Sequence, residues 1–461
     1  MKIAYYLLLL GCFSLIACDD YLDIKPKGTL IPTTFDEYSK ILDYEYNLRF
    51  ADGDVDIYSD DVYLYGTVHD SWVSQVGRRA YKWEPTIYFS GDRDGSWSGA
   101  YSRIFNFNLI IKEIDGAQGA TAQQKQTLKG EAHLARAFEY LRLLQKYGKP
   151  YDPETSASDP AIPLRLEPIV APEVLTRASV AVALEQVKTD LEIALSAQLP
   201  DTGIPTHRGS KVAIHGVLAR MHLYMRDYEA VYTAANTAIT LIGEPLPMED
   251  YNDYQVVNAT TGRGRTDLPD GDLNKETVYL KLGEQGVPSG YVFISDGLKA
   301  LYENGDKRFE LFFANPYRGV TYDTEMFARH LVINMGISTA ELLLMRAEAA
   351  ARANNLSQAL NDLNTLRRKR LTPAAYGTGL SSTNQQEVIQ WVLDERRREL
   401  CFLGGSRFFD MKRLSKDPQF TTPTVTRVVD GETYTLAPGS PRYAFPIWVM
   451  ILESNPGMPQ N

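Results

Sequence analysis

Residues able to do chemistry are easier to find in this 461-residue chain than a spacing that would make them do it. Six histidines are present, and His215 and His222 share one predicted helical face. No His-Glu-x-x-His pair and no cysteine pairing accompanies them, so neither a metal site nor any cofactor is expected, and they read as structural histidines. No Gly-x-Ser-x-Gly elbow or phosphate-cradling Gly-rich loop occurs. Asp52, Asp54 and Asp56 imitate the opening of a calcium loop, yet Ile57 stands where Gly is needed and Tyr63 where a bidentate Glu is needed. An acidic surface loop fits better. The 58 Asp and Glu residues give no positive sign of a glycosidase pair, whose separation is a spatial matter. The charge run Glu395 to Glu399 reads as a helix surface pinned by Asp394 with Arg398 and Glu395 with Arg398. No catalytic residue is assigned.

Aromatic residues in irregular segments offer better odds. Sugar C–H faces are weakly apolar and lie flat on Trp or Tyr, while nearby Asn, Asp or Arg take the hydroxyls. The chain holds 28 Tyr, 17 Phe and 5 Trp, a content that suits sugar stacking and helix packing alike. Residues 51–96 show no sustained helical period but carry Trp72, Arg78, Arg79, Tyr81 and Trp83. A loop of that length usually has a function. A second irregular stretch, 243–335, carries Tyr291, Tyr302, Tyr317 and Tyr322. These are the candidate ligand contacts, with Trp83 equally readable as core. Trp97 and Tyr101 lie on a helical stripe and are expected inside.

The elements that must position them are mostly helices. Thr34 and Glu37 form a capping box opening a helix to about Phe50. Another runs from Trp97 to about Ile114, with Trp97, Tyr101, Ile104, Asn108 and Ile111 on one face. Thr121 and Gln124 cap the clearest helix, which has two apolar stripes and ends at Gly148 and Pro150. After a Pro-rich loop, helices are predicted at 179–198, 208–225, 228–241, 338–353, 356–371 and 384–403, with short β-branched pieces such as Thr277 to Leu280 between. Leu223 to Ile239 aligns over Ala351 to Arg367 at an offset of 128 residues, both placing a polar pair at the turn between two helices. With Ala219 and Ala347 where helices approach, this is the tetratricopeptide manner of packing. The expected fold is a mostly α, tetratricopeptide-like helical-hairpin scaffold with long irregular ligand-binding loops.

The N-terminus decides where such a scaffold works. Lys2 precedes an apolar run, Ile3 to Ala17, too short for the roughly 20 residues of a spanning helix. It reads as an export signal. Leu15-Ile16-Ala17-Cys18 resembles a bacterial lipobox, which would make 1–17 a signal peptide and Cys18 a lipidated N-terminus. Residues 18–32 would then be an extended tether, and Asp19-Asp20 resembles a surface-export mark. With Cys12 removed and Cys18 acylated, Cys401 is left alone and no intrachain disulfide can form. A net charge of −10 argues against nucleic acid.

Several segments resemble, in order, the SusD/RagB nutrient-uptake outer-membrane lipoproteins of Bacteroidetes. They are Cys18 to Gly28, the Trp97 to Asn108 pattern W-x3-Y-x2-I-x3-N, Gly130 to Pro150, Ala340 to Asn355, Glu395 to Arg413, Arg442 to Ile447, and the closing NPGMPQN. One departure is Leu403-Gly404-Gly405-Ser406, where the family usually has Glu-Gly and one bulky residue, so the turn before Arg407 is expected to be rebuilt. The length is on the short side, which implies trimmed ligand loops. The resemblance implies a helical region 33–245 and a C-terminal region 246–461 forming one structural domain. It also implies a non-enzymatic, lipid-anchored outer-membrane binder, facing the cell exterior, that captures oligosaccharides for a SusC-like TonB-dependent barrel. The alternatives are a surface glycoside hydrolase, a peptide-binding member, or a structural envelope lipoprotein. The family draws its ligand ledge from the two irregular regions already named.

Overall fold

Helix starts in this chain are set by side chains that satisfy the free N–H groups of the first turn. In the computed structural model, which describes residues 32–50, 53–64, 74–169, 174–259, 265–284, 292–328 and 332–461, Thr34 caps α1 (Phe35–Asp43) and Thr121 caps α5 (Ala122–Tyr147). Both are reciprocal capping boxes, with Glu37 and Gln124 returning the bond. The export signal, Cys18, nearly all of the tether, Trp72 and Tyr291 lie outside the described residues.

Between these two helices the chain departs from expectation. The α1 helix stops at Asp43, because Tyr44 turns to an extended backbone (φ −67°, ψ 120°). One helical turn follows, Glu45–Leu48, and then β1 (Arg49–Phe50), which pairs in parallel with β4 (Leu282–Glu284). Tertiary pairing takes over there: Asn47 Nδ2 donates to Ile41 O at 2.6 Å, and the Phe50 ring meets Phe138 edge-on at 5.5 Å. The supposedly irregular 51–96 contains α2 (Gly53–Tyr58), β2 (Val62–Tyr63) and α3 (Gln75–Tyr81). These elements are too short to display a period.

From α4 (Gly95–Glu113) onward helices pack in succession: α4 on α5, α5 on α6 (Val180–Ser196), and α7 (Lys211–Met225) on α8 (Tyr228–Ile242). After the β-rich stretch, α9 (Thr339–Arg352) packs on α8, on α10 (Leu356–Arg368) and on α11 (Gln385–Glu399). The echo at offset 128 is a repeated turn. Arg226 (φ 62°) and Asn354 (φ 60°) both adopt the left-handed conformation, and Asp227 and Asn355 both N-cap the next helix. Ala219 and Ala347 are fully buried between helices.

The α5 helix is the axis. Residues 130–148 are buried without exception, so its two stripes are really a helix surrounded on all sides. Its charged residues are tolerated because each is matched. Arg136 meets Asp190 at 2.6 Å, Glu139 meets Arg103 at 2.6 Å, and Lys146 donates to Ser96 Oγ at 2.8 Å. Trp97 is 2% exposed and rests on Tyr101 and Tyr147, the core position expected of it. The main apolar cluster runs from Phe50 to Ile447, so both halves contribute to one core.

The charge run of α11 corrects another expectation. Glu395 is fully buried, and its helix is an inner wall rather than a surface. The Glu395–Arg398 pair forms at 2.5 Å, but Asp394 accepts from Gln390 instead of Arg398. Arg308, also fully buried, meets Asp306, Glu395 and Glu399 at 2.7 to 2.9 Å, and Arg370 meets Glu276 and Glu399 at 2.8 Å. Stacked on Tyr251 at 4.0 Å, Arg370 closes an ionic cluster drawn from five segments.

Two further elements were not foreseen, α12 (Ser406–Leu414) and the hairpin β10 (Val425–Val429) with β11 (Glu432–Leu436). Asp430 (φ 53°) and Gly431 (φ 82°) form its two-residue turn, the Asp-Gly signature of a type I′ hairpin. The turn before Arg407 uses left-handed Gly404 and Gly405, and a Cβ on Gly405 would lie 2.3 Å from Val55 Cγ1. Only glycine permits that approach.

Candidate functional site

A four-stranded sheet orders β2, β5 (Phe293–Ile294), β7 (Met326–Phe327) and β6 (Phe313–Ala314), with Tyr63 opposite Phe293. This pairing brings the two long segments singled out in the sequence to one sheet edge. Beside that edge β10 completes a cleft of about 480 Å³.

One side of the cleft is held by ions. Arg407 from α12 grips Asp60 with two bonds of 2.6 and 2.8 Å, while Arg397 from α11 reaches Asp61 at 2.6 Å and Asp60 at 3.4 Å. Burial would raise the Asp60 pKa, but the Arg407 and Arg397 guanidiniums prevail and hold it well below the usual carboxylate range. Burial, reinforced by the Asp60 charge, instead pushes the Asp61 carboxyl up against the pull of Arg397. Ser295 joins this turn to β5, its N–H donating to Asp61 O and its hydroxyl to Asp60 O.

The floor is Arg427 of β10. Its guanidinium lies 4.0 Å from the Tyr81 ring centre and 4.2 Å from that of Trp83, and it donates to the carbonyls of Tyr81 and Ser59. The stack fixes the hairpin to α3. Facing the opening are the Tyr63 ring, 41% exposed, and the exposed Asp296, Asp323 and Thr426, while Ser295 and Thr324 line the wall with their hydroxyls donating to Asp60 O and Glu325. One presented ring amid short acceptors and donors is chemistry for a polyhydroxylated ligand.

Of the predicted contacts, Tyr81 reaches this cleft, by the edge of a ring only 4% exposed, with its hydroxyl accepting from Leu64 N–H. Trp83 does not present a face. It is 4% exposed, its indole N–H donates to Tyr58 O at 2.8 Å, and Arg427 covers the ring. Arg79 is occupied in pinning the 87–92 loop through Ile87 O, Asp92 and the Phe89 ring. Arg78, in the same helix, is half-buried. Tyr317 is buried in a small cluster with Phe293 and Tyr322, its backbone bridged to Val320. Tyr302, half-buried, donates to Arg398 O and borders a separate cavity of about 590 Å³. Sequence reasoning missed Asp296, Asp323 and Thr426, and saw Tyr63 only as a failed calcium position. The Asp430-Gly431 turn was the available signal for β10.

Other candidate chemistry resolves into scaffold. Asp56 Oδ1 accepts from Gly405 N–H at 2.7 Å and is 1% exposed, which ties α2 to α12. Burial lowers the pKa of His215 and of His222, whose Nδ1 is 3.3 Å from Asp227. The Cys401 thiol is buried, 3.4 Å from the Tyr302 hydroxyl and donating to Arg398 O. Among the described residues no group of three His, Cys, Asp or Glu could hold a metal ion, and no helix is long and apolar enough to cross a membrane.

A family described as starch-binding and associating with the outer membrane matches residues 20–223, and the SusD family matches residues 332–461. A SusD-like protein of Formosa agariphila is 24% identical over 431 residues, spanning 79% of this chain and 78% of its own length. Among solved structures, a SusD superfamily protein of Bacteroides thetaiotaomicron superposes with a TM-score of 0.72 at 19% identity, covering 93% of this chain and 100% of its own. A SusD-like carbohydrate binding protein of Bacteroides vulgatus gives 0.68 at 21%, covering 92% and 97%. The mostly α, tetratricopeptide-like architecture is therefore the SusD fold, and with both halves matched in order the chain belongs to the SusD/RagB family.

Proposed function

We propose that this protein is a non-enzymatic, lipid-anchored glycan binder that captures oligosaccharides at the cell surface and passes them to a SusC-like TonB-dependent outer-membrane barrel. The observation that carries the ligand class is the cleft of about 480 Å³, where the exposed Tyr63 ring stands among hydroxyls and carboxylates. The family description, starch-binding and associating with the outer membrane, and a structural neighbour named a carbohydrate binding protein support the same class. In this reading Tyr63 stacks on a sugar face, Asp296 and Asp323 accept from its hydroxyls, and Thr426 donates. Trp72 and Tyr291, which flank β2 and β5 in sequence, remain proposed contacts. Cys18 carries the acyl chains, each buried CH₂ adding roughly 0.8 kcal/mol of membrane affinity.

Calorimetry against a panel of neutral oligosaccharides tests the binding. Tyr63→Ala should weaken affinity by roughly 1–3 kcal/mol, by analogy with base stacking on aromatic rings, and leave the melting curve in place because the ring is exposed. Trp72→Ala and Tyr291→Ala are titrated beside it. Affinity for a neutral glycan should change little with salt, whereas a charged peptide would weaken as salt screens it. Binding to no oligosaccharide, or steady release of shortened products from a polysaccharide, would overturn the reading. For the anchor, Cys18→Ala should leave the outer-membrane fraction of cells lacking the barrel.

A further inference from the structure

The cavity of about 590 Å³ beside Tyr302 shares no lining residue with the Tyr63 cleft, although one turn of helix, Asp296–Lys299, has its first residue in the cleft and its last at the cavity. Its volume lies within the roughly 300–1,000 Å³ of small-ligand sites. The wall is stitched together by backbone bonds: Thr372 N–H donates to Gly305 O at 2.9 Å, Lys307 N–H donates to Arg370 O at 2.9 Å, and Asp306 caps the helix Lys307–Phe312. A concavity held in this way needs little ordering when a ligand arrives.

Two features of the lining select the ligand. The first is a pair of rings. Phe309 and Tyr302 are both half-buried with ring centres 5.6 Å apart, and Phe309 also rests 5.6 Å from Phe313. Tyr302 is pinned through its hydroxyl, which donates to Arg398 O. The second feature is charge. Five charged side chains line the cavity, and each is already answered within the protein: Lys299 meets Glu325 at 2.6 Å, Glu303 meets Arg367 at 2.5 Å, Lys307 meets Glu310 at 2.5 Å, and Asp306 meets Arg308 at 2.7 Å. A charged ligand finds no unmatched charge there. What stays available is neutral. The exposed Asn304 amide makes no hydrogen bond among the described residues, and Thr372, whose Oγ1 accepts from Ala375 N–H, keeps its own O–H to donate. Apolar rings beside an amide and a hydroxyl match a sugar, which has a weakly apolar C–H face and a rim of hydroxyls.

We infer that this cavity is a second oligosaccharide-binding site, taking a neutral sugar on Phe309 while Asn304 and Thr372 meet its hydroxyls. The ligand class rests on the glycan-binding reading of the Tyr63 cleft, but the place does not. With sites at either end of one helical turn, the chain holds two sugars rather than one.

Calorimetry of the full chain with neutral oligosaccharides of glucose, mannose, galactose and xylose should require two sugars per chain for the class that binds. Phe309→Ala should raise one of the two Kd values roughly tenfold, the loss expected for a stacking ring. Asn304→Ala, an exposed change that leaves the core alone, should raise the same Kd about fivefold. Tyr63→Ala should weaken only the other. One sugar per chain, weakened by Tyr63→Ala and untouched by Asn304→Ala, would overturn the second site and leave the cleft reading standing. Two sugars per chain with neither Kd changed by Phe309→Ala or Asn304→Ala would also overturn it. One sugar per chain, weakened by Asn304→Ala and not by Tyr63→Ala, would uphold the cavity and remove the cleft. Binding of none of these sugars would overturn both.

Discussion

Lys281 shows how one side chain reports on its surroundings. It is 3% exposed, with Nζ 4.4 Å from the Tyr279 ring centre and 6.0 Å from that of Phe138. Burial pushes its ammonium down to about 8 although the Glu139 charge pulls the other way, while Arg103 adds to the fall. An unfolded lysine titrates near 10.4, so between about pH 8 and 10.4 the unfolded chain binds more protons. Stability from this group therefore rises across that window and is lowest below it. Lys281→Met should raise Tm at pH 7 by an amount that shrinks toward pH 10, as followed by thermal melts. An equal gain at both values would assign the effect to packing. Trp83 and Tyr63 offer the complementary contrast. Trp83→Ala should cost about 3–5 kcal/mol of stability and leave glycan affinity per folded molecule alone, the reverse of what is expected for Tyr63→Ala.

At the scale of elements, the cleft depends on a junction between parts of the chain that are far apart in sequence. The Gly405 N–H donates to Asp56, Arg407 two residues on grips Asp60, and the two contacts dock α12 against α2 and the turn that follows it. Gly405→Ala must place a Cβ against Val55 at a left-handed φ of 81°. The expected cost is about 2–4 kcal/mol. Because Asp60 borders the cleft, calorimetry should also show weaker glycan binding in the fraction that remains folded. An unchanged melting curve would mean that the junction can yield. The repeated turns at Arg226-Asp227 and Asn354-Asn355 were legible beforehand because a left-handed residue followed by an N-cap is local chemistry. Hairpin β10–β11 was equally local, and its Asp-Gly turn was a readable sign.

At the scale of the whole molecule, both halves share the apolar cluster and the ionic cluster around Arg308 and Arg370. Arg370→Met would leave Glu276 and Glu399 buried without their common partner. Breaking such a pair costs about 3–5 kcal/mol, and hydrogen exchange should then show α10, α11 and the strand β3 (Thr277–Tyr279) losing protection together. What the sequence determined unaided was the helical scaffold, through caps, apolar periods and glycine stops that act within a few residues of one another. It also marked the core places of Trp97, Ala219 and Ala347, since a stripe implies a buried face. Only the tertiary structure decided that the Glu395 to Glu399 run lies inside, that Trp83 and Tyr317 are covered, and that the cleft is made by Tyr63, Asp296, Asp323 and Thr426. Those four come from two strands, a short helix and a bend, more than 360 residues apart at the extremes. Their meeting follows from sheet pairing and charge neutralisation between distant segments, and no local period in the chain records it.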